Sequence, residues 1–546
     1  MNENSTATNQ VNQATQTALE GFEPVPVVSE KEKAREEART LKERFHNAVS
    51  CEQGMDTIRG FMASFGIASI LHSCGIVSLC PWAIPIAEMF AFLLGQVFCQ
   101  YSIYRREKLK QLPEGISTSS VSRFLNNPKF RWETFLSKVS EKALIFINKL
   151  DGPDEKKVLT ADDTDVDRVI RGRGCAYEGS GKRNKKKKVR KHKGKRTELV
   201  ARKYDHARKV HSTGFRMLTI GFADQFTFIP LGFVLLSSKK AKNIVGDAAK
   251  KFKKNSAAFM RRKLACSATM DALTTLLVRA LKYVKNVRHI CVDRWFSNPS
   301  QIYELMDKTG LHVLTILKHN KTKYQFNGQL LTICEIRKYA KKHYRESRNL
   351  IVVNILVPGK NGNVDHCFYA KVVFVQNRAN RKQWISILST DTDLTAEEII
   401  EYYSLRWKTE TFFWTAKMLL GLNGESHAMS YDAQTAHATI VCTRYIMLAI
   451  EQRKAEDPRS VGELFAMIVE EQRSMEFGEV LRIFSDAVFS AIDDTLHLSQ
   501  TQMDTIITKM FNALPPKIAH YLKCARWVDE DEVPPQKTRR KKTAAA

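Results

Sequence analysis

Along this chain the hydrophobic positions change period more than once. From about residue 46 to 150 they recur every three or four residues, the spacing of helices with one apolar face. Inside that stretch Ser117-Thr118-Ser119-Ser120-Val121-Ser122-Arg123-Phe124-Leu125 follows a break at Pro113 and Gly115. Ser117 or Thr118 can cap a short helix that packs Val121, Phe124 and Leu125 inward and turns serines and Arg123 outward. Such a helix can read a major groove, or be a plain capped surface helix. From Lys157 the pattern is that of strands. Lys157 to Asp163 reads as a strand ending in acids, and 214–222 with 226–236 as a hairpin turning at Ala223-Asp224-Gln225. Next come a long helix over 256–284, an apolar strand over 287–292 closed by Asp293, a helix over 298–308 and a strand over 311–317. This order implies an α/β fold, a mixed sheet with helices on its faces.

The block 319–383 is strand-rich, with turn signals at Asn327-Gly328 and Gly359-Lys360-Asn361-Gly362, and reads as an insertion outside the main sheet. A strand over 384–389 follows, then one long helix over 395–420 and helical pattern from 424 to about 525. The expected organisation is a charged, disordered leader (1–45), a helical N-terminal DNA-binding domain (46–150) and a core in two parts (155–318 and 384–423). The β-rich insertion (319–383) separates those parts, and a helical C-terminal region with a basic tail (424–546) follows.

Charge narrows the class of partner. Lys and Arg number 86 against 58 Asp and Glu, a surplus of +28 that calls for a polyanion, nucleic acid before membrane. Residues 182–196 hold 11 Lys or Arg and no acid, among them Lys185, Lys186, Lys187, Lys188, Arg190 and Lys191. A loop gripping DNA phosphates fits this run, as does a solvated loop; 239–263 is a second basic stretch. The 11 cysteines include no CxxC pair, which points to a reducing cytoplasm without structural disulfides. Residues 61–87 lack Asp, Glu, Lys and Arg, but Gly66, Gly75, Pro81 and Pro85 interrupt them, so proline-broken buried helices are expected rather than a membrane span. The N-terminus has no signal-peptide pattern.

Candidate chemistry concentrates on the helix near 400. Tyr403, Arg406, Glu410 and Lys417 fall within roughly 60° of one another on one continuous helix. An apolar stripe of Ile400, Trp407, Trp414 and Met418 beside them would anchor it to the core. A carboxylate in a row with a phenol and two cations suits a site that holds a metal ion and DNA phosphates. An ordinary surface helix with an Arg406–Glu410 pair has the same pattern. Asp293 and Asp163 each end an apolar strand, where an ionised acid is costly unless a cation binds it. Asp162 adjoins Asp163, and alternation sends the two to opposite faces, so one of them serves a given site. Asp224, Asp391 and Asp393 compete, but they sit at turns.

The segment Tyr-Ser-Leu-Arg-Trp-Lys-Thr-Glu-Thr-Phe-Phe-Trp-Thr-Ala-Lys (403–417) resembles the YREK signature of bacterial insertion-sequence transposases of the DDE class. Asp163-Thr164 resembles that family's first-acid motif, Asp293-Arg-Trp-Phe its second, and the block between the second and third acids its β-insertion domain. The resemblance covers roughly 157–423. It implies an RNase H-like core in which Asp163, Asp293 and Glu410 hold two Mg2+ ions, with Mn2+ as a substitute. Tyr403, Arg406 and Lys417 would contact phosphates, and Trp384 would stack a flipped base. It further implies a homodimer acting on double-stranded DNA (terminal inverted repeats and target), hairpin-mediated cut and paste, no membrane, and a bacterial, nucleoid-associated location. A non-enzymatic or inactivated sequence-specific DNA-binding protein is the competing reading.

Overall fold

The computed structural model describes residues 55–469, except 79–83, 100, 151–154, 169–176, 179–195, 206–209, 345–349, 360–365, 378–382, 426–427, 455–459 and 467. Beyond 469 it describes positions 502, 505 and 509. The expectations for the leader, for Lys185 to Lys191 and for the basic tail lie outside the described residues.

Among the described residues six α-helices precede the sheet: α1 (Met55–Ser64), α2 (Ile67–Ser73), α3 (Ile86–Gly95), α4 (Ile103–Lys108), α5 (Thr118–Leu125) and α6 (Trp132–Asn148). In place of one apolar span, the stretch 61–87 holds short helices that end at Ser64 and Ser73 and resume at Ile86 after Pro85. Among the described residues no helix is long and apolar enough to cross a membrane. In α5 the Ser117 hydroxyl accepts from the Ser120 amide and Ser120 answers reciprocally, burying Val121 and Phe124 and leaving Arg123 exposed.

The sheet is built from β1 (Val158–Asp167), β2 (Tyr177–Glu178), β3 (Ala201–Asp205), β4 (Val210–Ala223), β5 (Phe228–Leu236), β6 (His289–Val292) and β7 (His312–Ile316). It continues through β8 (Lys323–Phe326), β9 (Gln329–Thr332), β10 (Leu350–Val357), β11 (Phe368–Gln376) and β12 (Trp384–Ser389). Its centre runs β5-β4-β1-β6-β7: two antiparallel ladders, then two parallel ones. This is an RNase H-like mixed sheet with flanking helices. α7 (Ala257–Ala265) and α8 (Thr269–Ala280) link β5 to β6, and α9 (Pro299–Thr309) links β6 to β7.

Four local expectations change. β1 runs on to Asp167, so its acids lie within the strand, and β4 pairs with it throughout. The helix expected over 256–284 is two helices, because Ala268 takes an extended conformation and the Ser267 hydroxyl bonds back to the Leu264 carbonyl. The block after β7 belongs to the main sheet: β12 pairs antiparallel with β7, and β11, β10, β8 and β9 follow outward. It also contains a helix, α10 (Ile333–His343), capped by a reciprocal Thr332–Glu335 pair. The Asn327-Gly328 turn is as expected; both residues have positive φ and join β8 to β9.

The helix expected over 395–420 is also two, α11 (Ala396–Ser404) and α12 (Trp407–Met418). Between them the amides of Leu405, Arg406, Lys408 and Thr409 bond three residues back, not four, which tightens and re-aims the chain. The apolar stripe therefore splits. Ile400 is buried, but Trp414 and Met418 are 58% and 66% exposed, and Thr409, Phe412, Phe413 and Ala416 hold α12 to the core.

α13 (Tyr431–Lys454) is buried over 431–450 and packs on α6 and β5. It is tied to α7 by buried ion pairs. Arg262 donates to Glu198 at 2.7 and 2.9 Å and to Asp432 at 2.7 and 3.0 Å, and Arg261 donates to Asp432 at 2.7 Å and Glu133 at 3.0 Å.

Candidate metal and DNA site

The parallel ladder of β1 and β6 stops at Ala161–Val292, and the next residue on each strand is an aspartate, Asp162 or Asp293. The strands part at their carboxyl ends, where a parallel sheet opens a crevice. α12 lies across this opening. The Thr409 hydroxyl donates to that of Thr160 at 2.8 Å, fixing the helix over the face of β1 that carries residues 160 and 162. Arg406 then donates to Asp162 through Nη1 at 2.7 Å and to Glu410 through Nη2 at 2.8 Å. One guanidinium thus gathers carboxylates from the first strand and from α12, and Asp293 acts on the same guanidinium.

Asp163 faces the other way. Its carboxylate stands 3.6 Å from Arg216 Nε, with Asp165 and Lys203 nearby. Arg406 therefore joins Asp162 to Glu410, Asp293 acts electrostatically on Arg406, Asp162 and Asp163 alike, and Asp163 stands beside Arg216. Alternation puts the two acids on opposite faces, and the threonine pair sets α12 over the face of Asp162.

The electrostatics are those of an under-compensated site. Burial, then the carboxylates of Asp293 and Asp163, push Asp162 up to about 7 against the pull of Arg406. Burial works against the charge on Arg406, but Tyr403, Asp162, Glu410 and Asp293 hold it well above its ordinary value. Tyr403 is 1% exposed, so its hydroxyl lies in the core; burial raises it, and it makes no hydrogen bond. Arg406 Nε is likewise buried without a partner. Among the described residues no three His, Cys, Asp or Glu side chains are already assembled to hold a metal ion. The guanidinium holds one oxygen of Asp162 and one of Glu410. Hard oxygen donors, an excess of negative charge and an orphaned hydroxyl beside them are what a divalent cation fits.

Lys417 lies in the last turn of α12, half-buried. Trp384 opens β12 under cover: His319 stacks on it at 3.9 Å and the Arg337 guanidinium lies 4.5 Å from its centroid. Two groups so close cannot share a face, so both faces are occupied. Sequence reasoning missed His319 and Arg337; no local signal marks them, because they meet Trp384 only through the sheet.

Residues 264–447 match the family described as transposase DDE domain. The match contains Asp293 and Glu410 and begins after β1. A solved structure with similarity is the piggyBac transposase synaptic complex with hairpin DNA, at 12% identity and a TM-score of 0.35, covering 70% of this chain and 69% of that one. No curated protein matches the sequence.

Proposed function

We propose that the protein is a DNA transposase of the DDE class, which cleaves double-stranded DNA at transposon ends and joins the freed ends to target DNA. The observation that supports this reading is that Arg406 binds Asp162 and Glu410 with Asp293 in electrostatic reach, Asp293 and Glu410 both lying in the stretch that matches the transposase DDE domain. Asp162, rather than Asp163, is the first acid of the set. These three carboxylates would hold the divalent ions, Mg2+ or in its place Mn2+. Bound there, such ions activate the attacking water or 3′-hydroxyl and stabilise the leaving oxygen.

The chain's own groups do the rest. Arg406 must release at least one carboxylate when a cation arrives, and its guanidinium is then placed to bind a phosphate oxygen. Tyr403 holds that guanidinium from beneath; its ring is 5.7 Å away. Lys417, about two turns beyond Glu410, extends the cationic track along α12. For Trp384 to stack a flipped base, His319 or Arg337 must first move aside. Arg123 on α5 and the run Lys185, Lys186, Lys187, Lys188, Arg190 and Lys191 would add contacts to DNA phosphates. A hairpin intermediate, action as a homodimer on paired inverted repeats, and a bacterial, nucleoid-associated setting complete the reading. In this reading 46–150 is a helical DNA-binding region, 155–423 is the core with 319–383 as a β-rich extension of its sheet, and 424–546 follows.

The test is cleavage of labelled DNA from the flanks of the gene, in Mg2+, by the wild type and Glu410→Gln. The variant should shift the DNA on a gel while its nicking falls more than about 100-fold, the upper limit for losing a group that only supports a ligand. Equal nicking by both would end the catalytic reading and leave a DNA-binding protein.

A further inference from the structure

Beside the carboxylates lies a second aromatic surface that the proposed chemistry does not use. Trp295, two residues past Asp293, is 59% exposed, an unusual position for the largest side chain. It is not loosely placed. Its amide donates to Asp293 Oδ2 at 3.4 Å, and it sits in a single turn of 3-10 helix between β6 and α9. Lys318 lies over its ring, with Nζ 4.8 Å from the centroid and 3.4 Å from the Trp295 carbonyl.

The next residue, His319, is the one stacked on Trp384. Consecutive residues just past β7 thus each cover a tryptophan. Arg294 and Arg337 both act on His319, and burial together with these guanidiniums lowers the pKa of its ring. Exposed π surface interleaved with cations matches a nucleic-acid strand with its bases unstacked. A paired base in a duplex already has neighbours on both faces and offers nothing to an indole. A break in the duplex at the carboxylates does.

We propose that Trp295, with Lys318, is a stacking platform for an unpaired base of the DNA strand held at Asp293, distinct from Trp384. The proposal rests on the transposase reading for its choice of strand, and its geometry stands independently.

The experiment uses the full chain in EDTA, so that no cleavage occurs, with fluorescein-labelled oligo(dT) and a blunt duplex as probes. Trp295→Ala should weaken oligo(dT) binding by about 5- to 100-fold, the range for losing one stacked base, and change duplex binding by less than about twofold. Trp295→Phe should keep most of the affinity. Wild-type binding of oligo(dT) by Trp295→Ala would overturn the proposal. So would an equal loss on both probes, or a loss in Trp295→Phe as large as in Trp295→Ala; either would make the surface a general contact or a protein-docking site. Nicking by Glu410→Gln alongside a selective oligo(dT) loss in Trp295→Ala would reject the catalytic reading alone.

Discussion

Two buried clusters of arginine and carboxylate can be set side by side in this molecule. Around Arg262, Glu198 takes hydrogen bonds from the guanidinium and from the amides of Lys250 and Tyr431, while Asp432 is shared by Arg261 and Arg262. Around Arg406, one guanidinium serves Asp162 and Glu410 with Asp293 beside them, and both its Nε and the Tyr403 hydroxyl lack partners. Glu198 and Asp162 are both removed from water, yet their acidities move in opposite directions. Burial favours the neutral form of Glu198, and the donors around it outweigh that and lower it; at Asp162 burial wins and raises it. The first cluster is a finished joint between α7 and α13. The second is short of positive charge, which is what a cation-binding site should be before its cation arrives.

The largest effect that can break this comparison is on stability. Arg262→Ala leaves Glu198 and Asp432 buried without their main partner and should cost about 3 to 5 kcal/mol in thermal or urea unfolding, with no recovery in Mg2+. Arg406→Ala should cost less, and Mg2+ should restore most of it, because a divalent ion can replace the guanidinium between the carboxylates. Equal losses, with neither recovered, would make both clusters structural.

A smaller effect comes from pH, with opposite signs at the two clusters. The folded state holds a proton on Asp162 up to about pH 7, whereas the unfolded chain releases it near 3.8. The metal-free protein therefore loses stability as pH rises between these values, by at most about 1.4 kcal/mol per unit. Glu198 contributes stability that is present above its ordinary 4.5 and lost as pH falls through its lowered folded value. Unfolding midpoints across pH should show Asp162→Asn abolishing the loss toward neutrality and Glu198→Gln abolishing the loss in acid. A single variant that removed both would show that the clusters are coupled.

The sequence made the strand order legible, because period-2 runs, turn residues and strand-end acids are local features. The hairpin of β4 and β5, the Asn327-Gly328 turn and Asp293 at the end of β6 were read directly. Two things were not, and both depend on contacts between distant residues. Which of Asp162 and Asp163 faces the site rests on the Thr160–Thr409 bond, made 249 residues apart. The stripe on the helix near 400 assumed one uninterrupted helix, and the three-residue hydrogen bonds around Leu405 and Arg406 re-aim it, sending Tyr403 inward and Trp414 outward. The attachment of β11, β10, β8 and β9 to the main sheet through β12 escaped notice for a similar reason. Edge pairing depends on which strand is left unpaired in three dimensions, not on the pattern within either one.

The central claim, that Asp162, Asp293 and Glu410 form a cation site and Asp163 does not join it, is tested most directly by Mn2+ binding to the full chain, followed by electron paramagnetic resonance. The account predicts that Asp162→Asn loses bound Mn2+ and Asp163→Asn keeps it. Loss in Asp163→Asn with binding intact in Asp162→Asn would contradict it.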